Sequence, residues 1–238
     1  MEKNNLSIPV AIIVAGLLSA GALFITRGGV QPKVAGTDTL PNLENIDLMP
    51  VTEKDHILGN PNAEIMIVEY SDTECPFCKE FHNTMHSIID KYGADGKVAW
   101  VYRHFPLSYA AEGTQALHPN AAKEAEATEC AAELGGNEKF WAYIDELYRI
   151  TPSNNGLDLA ELPNIAVTVG LDRNKFETCL ASNRYADKVQ DSYAEALKAG
   201  ASGTPYSVIV TKSGTKVPIS GAQPLRAVDS VIQTLINN

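Results

Sequence analysis

The sequence is poor in several things, and each shortage excludes something. Of its 238 residues only four are cysteine and two are tryptophan, and nineteen lysines and arginines face twenty-nine aspartates and glutamates, for a formal charge of −10. So few cysteines cannot staple a small scaffold that lacks a core. The shortage of positive charge argues against a general nucleic-acid surface, because a phosphate backbone would be repelled, and no nucleic-acid partner is expected. There is no convincing internal repeat. With 45% hydrophobic and 20% charged residues, the composition is that of one globular domain with an appendage.

The appendage comes first. From Leu6 to Ile25 the run LSIPVAIIVAGLLSAGALFI holds twenty residues without a charge. As a helix it would be about 30 Å long, the thickness of a bilayer's hydrocarbon core. A cleaved secretory signal is the competing reading, but MEKNN offers only Lys3 against Glu2 ahead of the run, and the apolar stretch exceeds the usual length of about 7–15 residues. Residues 1–27 are therefore expected to form an N-terminal transmembrane helix, or else a signal. Either places the remainder on the extracytoplasmic side of the cell membrane. Residues 28–55, with Gly28, Gly29, Pro32, Gly36, Pro41 and Pro50, show no periodicity and read as a flexible linker.

Residues 56–238 alternate in type. Ala63–Tyr70 is β-branched and apolar after the turn residues GNPN, and predicts a strand. Phe81, Met85, Ile88 and Ile89 then fall at helical spacing before Gly93, and Lys97–Phe105 returns to strand. This is a β-α-β unit, the signature of a parallel strand pair. Helical patterns fill a segment of about 107–200: Pro119–Leu134, a face of Phe140, Trp141, Ile144, Leu147 and Tyr148 after Asn137, a helix capped by Asp172, and one from Tyr185 to Gly200. Strands follow at Tyr206–Val210 and Lys216–Ile219, and a last helix after Pro224. The fold class is α/β, ordered β-α-β, helical insertion, β-β-α.

The chemistry concentrates at Cys75-Pro76-Phe77-Cys78, directly after a strand and at the opening of a helix. There the unpaired backbone N–H groups and the macrodipole favour a thiolate at Cys75. Such a thiolate attacks disulfides at neutral pH and leaves readily from a mixed disulfide. Two intervening residues put Cys78 one turn in, close enough to bond Cys75 as the buried resolving partner. Pro76 suits the first helical position, where its missing N–H costs nothing. Three other uses of the pair are weaker. Zinc completed by Cys130, Cys179 or His82 lacks a second close pair. A haem attachment needs histidine where Lys79 stands. A purely structural bridge would close too small a loop to stabilise much. No metal and no cofactor is expected. His82 and His86 are assigned to a solvated helix face, and His56, His104 and His118 to turns and element ends.

The runs IVEYSDTECPFCKEF, YRHFPL and GTPYSVIV, in this order and spacing, resemble the DsbA-like thiol-disulfide oxidoreductases of the thioredoxin-like family, in particular its membrane-anchored or secreted bacterial members. The resemblance spans roughly His56 to the C-terminus and implies a thioredoxin domain interrupted by a helical domain. It also implies that Thr204-Pro205 is the cis-proline site beside the redox disulfide, where extended substrates bind; from the residues alone Pro205 is an ordinary loop proline. It implies a buried carboxylate relay at Glu69, which strand alternation alone would as readily point to solvent. The Pro76-Phe77 dipeptide is closer to the oxidising members than to thioredoxin, though Phe77 replaces the histidine of the best-known oxidase. Cys130 and Cys179 lie on apolar helix faces and could be free thiols. An oxidising compartment favours a bond, and some family members carry such a second, structural disulfide.

The resulting expectation is a tethered dithiol oxidase acting on reduced exported proteins, and the resemblance implies a quinone-linked membrane oxidoreductase as its reoxidant. A reductase or isomerase of the same fold is the alternative, as is a non-catalytic tethered module that binds extended peptides by strand addition.

Overall fold

Apolar strands with β-branched residues build the centre of the sheet. In the computed structural model, β2 (Ile65–Ser71) and β3 (Val98–His104) run parallel, from Ile65 opposite Val98 to Ser71 opposite His104, and are joined by α1 (Pro76–Tyr92). On the other side of β2, β4 (Tyr206–Thr211) pairs antiparallel, and β5 (Lys216–Ser220) follows it through a turn at Gly214 with φ +88°. A three-residue strand, β1 (His56–Leu58), adds antiparallel to β3, giving the order β1-β3-β2-β4-β5. β1 escapes the sequence reading because three residues carry no period.

The description covers residues 46–109 and 115–237, all within the unit that runs from Pro41 to Asn238. The expected membrane helix at Leu6–Ile25 and residues 28–45 of the expected linker lie outside the described residues. Among the described residues no helix is long and apolar enough to cross a membrane. The last part of the expected linker is packed rather than free. Ile46, Leu48 and Val51 lie against the sheet, Lys216 donates to the Ile46 carbonyl at 2.6 Å, and Arg103 donates to the carbonyls of Met49 and Pro50.

Both faces of the sheet are covered, which matters for the site. Ile65, Ile67, Trp100 and Tyr102 pack under α1 and the C-terminal helix (Leu225–Ile236), whereas Val68, Tyr70, Val101 and Val208 pack against the helix Ala186–Lys198. Alternation along β2 therefore separates two interiors, not an interior from water.

The insertion has a core of its own. α2 (Ala121–Ile150) breaks at Gly135-Gly136, where Gly136 takes φ +72°, a value open to glycine. α3 (Leu162–Thr168), α4 (Arg173–Ala181) and α5 (Ala186–Lys198) follow. Pro163 sits in the first turn of α3, where a missing N–H is tolerated, and the Asp172 side chain accepts from the Lys175 amide to cap α4. Ala127, Tyr143, Leu147, Leu162, Ile165 and Phe176 form an apolar cluster. Inside it Cys130 and Cys179 are joined, S–S 2.01 Å.

Candidate active site

Four segments distant in sequence meet at the N-terminus of α1. Cys75 is its N-cap residue, with extended backbone angles, and Pro76 opens the helix. Both Cys75 and Cys78 are free thiols here. Cys75 is 4% exposed and Cys78 is fully buried, while Phe77 between them is 61% exposed. The Cys75 thiol donates to the Thr204 carbonyl at 3.6 Å, and the Thr204-Pro205 peptide bond is cis, immediately before β4. The Asp72 amide donates to the Cys78 sulfur at 3.4 Å.

The two thiols are pushed in opposite directions. Cys75 is lowered from the ordinary thiol value to about 6, first by the Cys78 thiol, and then, against the cost of burial, by Thr204 and the backbone N–H groups of Cys78 and Phe77. Cys78 is raised well above the ordinary value by burial, then by the neighbouring Cys75 and by Glu69. The asymmetry follows from the fold. One sulfur sits at the dipole end of a helix beside donors, and the other faces the apolar layer beneath it.

Glu69 stands on the same face of β2 as Ile65 and Ile67, the face under α1, and is 1% exposed. The solvent-facing alternative does not hold, because the sheet has no solvent face here. Neither carboxyl oxygen has a hydrogen-bond partner. Burial raises Glu69 to about 7, with Ser71 and Trp100 pulling it back in part, and the nearby Cys75 adds to the rise. A carboxyl that titrates near neutrality can take or give a proton at working pH.

Several neighbours were not foreseen. Tyr148 of α2 donates to the Asp72 carbonyl and lies within hydrogen-bond reach of the Ser71 and Tyr102 hydroxyls, making a buried hydroxyl cluster beside Cys78 and Glu69. His118 pairs with Asp72 at 3.0 Å and is raised by that contact. Glu74, just before Cys75, is held by the backbone of a loop, Ser153–Asn155, whose three residues all take positive φ. The Asn154 amide donates to its carbonyl and the Asn155 amide to its carboxylate. Glu124 beside it is raised to about 9 by burial and by Glu74. Nothing in local spacing announces these partners, since each comes from the insertion. His82 is also not where the sequence reading put it. It is buried against Trp100 and Tyr148 and pairs with Asp145. His56 and His104 both meet the buried Glu129. A cavity of about 760 Å³ lies at that second cluster and does not include the cysteines.

A family model described as thioredoxin matches residues 51–230. The chain belongs to this thioredoxin family. Its fold is that of the DsbA-like thiol-disulfide oxidoreductases. Pseudomonas aeruginosa DsbA2 is 28% identical, with 79% of this chain and 96% of that one aligned at a TM-score of 0.62. Wolbachia pipientis α-DsbA1 is 26% identical over 80% and 95%, with a TM-score of 0.67. BdbD from Bacillus subtilis, at 18% identity and a TM-score of 0.66, shares the fold over 82% of this chain and 99% of its own. Among curated proteins, the Na(+)/H(+) antiporter NhaA 1 of Mycolicibacterium gilvum is 28% identical over 90% of this chain and 33% of its own length. NhaA 3 of Salinispora tropica is 35% identical over 67% of this chain and 22% of its own. The chain thus spans a third or less of these antiporters, and their transport activity is named for the whole proteins. In this chain the strand-helix junction, the Cys75 and Cys78 pair and the cis-proline before β4 converge.

Proposed function

We propose that this thioredoxin-family protein is an extracytoplasmic dithiol oxidase, tethered through Leu6–Ile25, that introduces disulfides into reduced exported proteins. The observation that carries the direction is the inequality of the two sulfurs: Cys75 held as a thiolate at neutral pH, Cys78 buried and protonated. A stabilised reduced form makes the corresponding disulfide more oxidising.

The reaction balances without a cofactor. A substrate thiolate attacks Cys75 of the Cys75–Cys78 disulfide; the S–S bond breaks and Cys78 leaves with the electron pair. Glu69, protonated below about 7, supplies the proton that Cys78 takes up. A second substrate thiolate then attacks the mixed disulfide, a substrate disulfide forms, and Cys75 departs as the stabilised thiolate. The substrate is oxidised by two electrons and the protein reduced by two. The cis Thr204-Pro205 segment beside Cys75 offers the backbone along which an extended chain lies, and exposed Phe77 gives it an apolar contact. A quinone-linked membrane oxidoreductase is the proposed reoxidant. Pairing of Cys130 with Cys179 is read as structural.

The reduction potential of the full-length chain, equilibrated against glutathione, tests the direction. A value clearly less negative than thioredoxin's, about −270 mV, supports an oxidase; a value at or below it makes the protein a reductase. A peptide-binding module without catalysis would leave oxidation of a reduced, unfolded protein unchanged by Cys75→Ser.

A further inference from the structure

One group of side chains, of which only His82 is buried, has no part in the redox steps. On the face of α1 that carries Cys78, His82 and His86 follow at four-residue steps, so both rings lie along one side of the helix and meet edge to face. Asp145 of α2 comes up between them. Its Oδ1 lies 2.7 Å from His82 Nε2 and 2.9 Å from His86 Nε2, and the two nitrogens are 3.2 Å apart. The same three atoms form all three sides of a small triangle.

Hydrogen bonding accounts for two of those sides, each imidazole donating to the carboxylate. It does not close all three at once, because a hydrogen bond between the two nitrogens needs one ring to accept, and that ring then has no Nε2 proton for Oδ1. With both rings donating to Oδ1, the two N–H groups lie side by side and repel each other. A shared cation relieves that repulsion and holds all three atoms together: ligand atoms bonded at about 2.0–2.1 Å in a tetrahedral arrangement stand about 3.3 Å from one another, so the two shorter sides of the triangle open slightly as the ion enters.

We propose that His82, His86 and Asp145 bind one divalent transition-metal ion of the zinc class. The donor set of two imidazoles and one carboxylate suits zinc and its neighbours, whereas calcium and magnesium take oxygen ligands. The triad opens into a cleft of about 240 Å³ rimmed also by Lys79, Asn83, Tyr148 and Arg149, which leaves the fourth position to water. The two cations on the rim are engaged elsewhere. Lys79 donates to the Thr151 carbonyl at 2.6 Å, and Arg149 makes two 2.6 Å bonds to Glu146. Neither cysteine sulfur belongs to the cluster, so this site differs from the zinc site considered at the cysteines. One feature limits its affinity. A metal on His82 Nε2 leaves the ring proton on Nδ1, which is buried with no hydrogen-bond partner, and a missing partner of that kind lowers metal affinity by about 10–100-fold. Micromolar rather than nanomolar binding is expected.

The test uses the full-length chain, stripped of metal and with Cys75–Cys78 oxidised so that no thiolate competes. Calorimetric titration with zinc chloride at neutral pH should show one ion per chain. Cobalt(II) should bind at the same stoichiometry and give the visible absorption of a low-coordinate nitrogen-oxygen site. His86→Ala and Asp145→Asn, both at partly exposed positions, should each weaken zinc binding by at least about tenfold. Asn83→Ala, which lines the cleft without ligating, should leave it unchanged. Absence of binding at millimolar zinc overturns the site, as does binding that both ligand variants leave unaltered. Circular dichroism of the two variants separates loss of a ligand from loss of fold.

Discussion

The two cysteine pairs occupy opposite kinds of surroundings. Cys75 and Cys78 lie three positions apart at a helix start, where the Cys78 thiol, Thr204 and the backbone N–H groups of Cys78 and Phe77 favour a thiolate at Cys75. Cys130 and Cys179 are separated by 49 positions and lie among alanine, leucine, isoleucine and phenylalanine side chains. The first environment stabilises a separated thiolate, and so makes opening of the bond cheap. The second offers a thiolate apolar side chains and, beside Cys179, the Glu133 carboxylate, which would repel it, so its bond resists exchange. Spacing alone distinguishes the pairs less well than what each sulfur would face if the bond opened.

The comparison can be broken first at the active pair. Cys75→Ser should reduce oxidation of a dithiol substrate to the uncatalysed background, whereas Cys78→Ser should retain attack and accumulate mixed disulfides, visible by mass spectrometry. Removing the other pair, as Cys130→Ala with Cys179→Ala, should leave the potential of Cys75–Cys78 unchanged but lower the unfolding free energy by about 4 kcal/mol, the chain-entropy value for a loop of this length. Denaturant titration and glutathione equilibration measure the two quantities separately. A potential that moves with the second pair would show that the two environments are coupled.

Glu69 sharpens the comparison through pH. Its folded value is about 7 against 4.5 for the free side chain. The native state therefore holds the proton more tightly than the unfolded chain, and stability falls as pH rises from about 4.5 to 7. The loss is complete above 7 and absent below 4.5, and by the size of the shift is about 3 kcal/mol. Glu69→Gln, the neutral isostere, should recover stability of that order at pH 8 and none at pH 4, measured on the oxidised protein. It should also slow the steps in which Cys78 exchanges its proton. The smallest change is expected from Phe77→His, which adds a donor near Cys75: a drop of about one unit in the thiolate titration, and a potential less negative by about 30 mV.

Much of this fold is readable from periodicity. The β-α-β unit, the break at Gly135-Gly136, the Asp172 cap and the closing hairpin and helix all carry local signals, and the structure has them. What local patterns do not carry is which face is covered. Glu69 reads as alternating outward only if one side of β2 meets water, and the helix across that side comes from the same chain 7 residues on and from its far end. His82 and His86 likewise read as a polar stripe because Asp145, their partner, lies 59 and more residues away. His118, Tyr148 and Asn155 reach the site from the insertion, by contacts spanning 46 to 81 positions.

The strand order has a consequence for how the molecule assembles. β2 and β4 are neighbours in the sheet, Ile65 opposite Thr211, although the whole insertion is threaded between them. Entropy alone makes that detour mild, since each doubling of a loop costs only about 0.6 kcal/mol. Its effect is on timing. The β-α-β unit and the disulfide-closed helical core hold mostly near-neighbour contacts, which form fast, while the β2–β4 pairing waits on both. Until it forms, Thr204 is not beside Cys75, and the thiol lacks part of what lowers it. Thr204's share of the lowering is thus acquired only with the finished sheet, whereas the shares of Cys78 and of the α1 backbone N–H groups come with the helix, and alkylation of Cys75 below neutral pH should speed up a second time during refolding, after the helical signal.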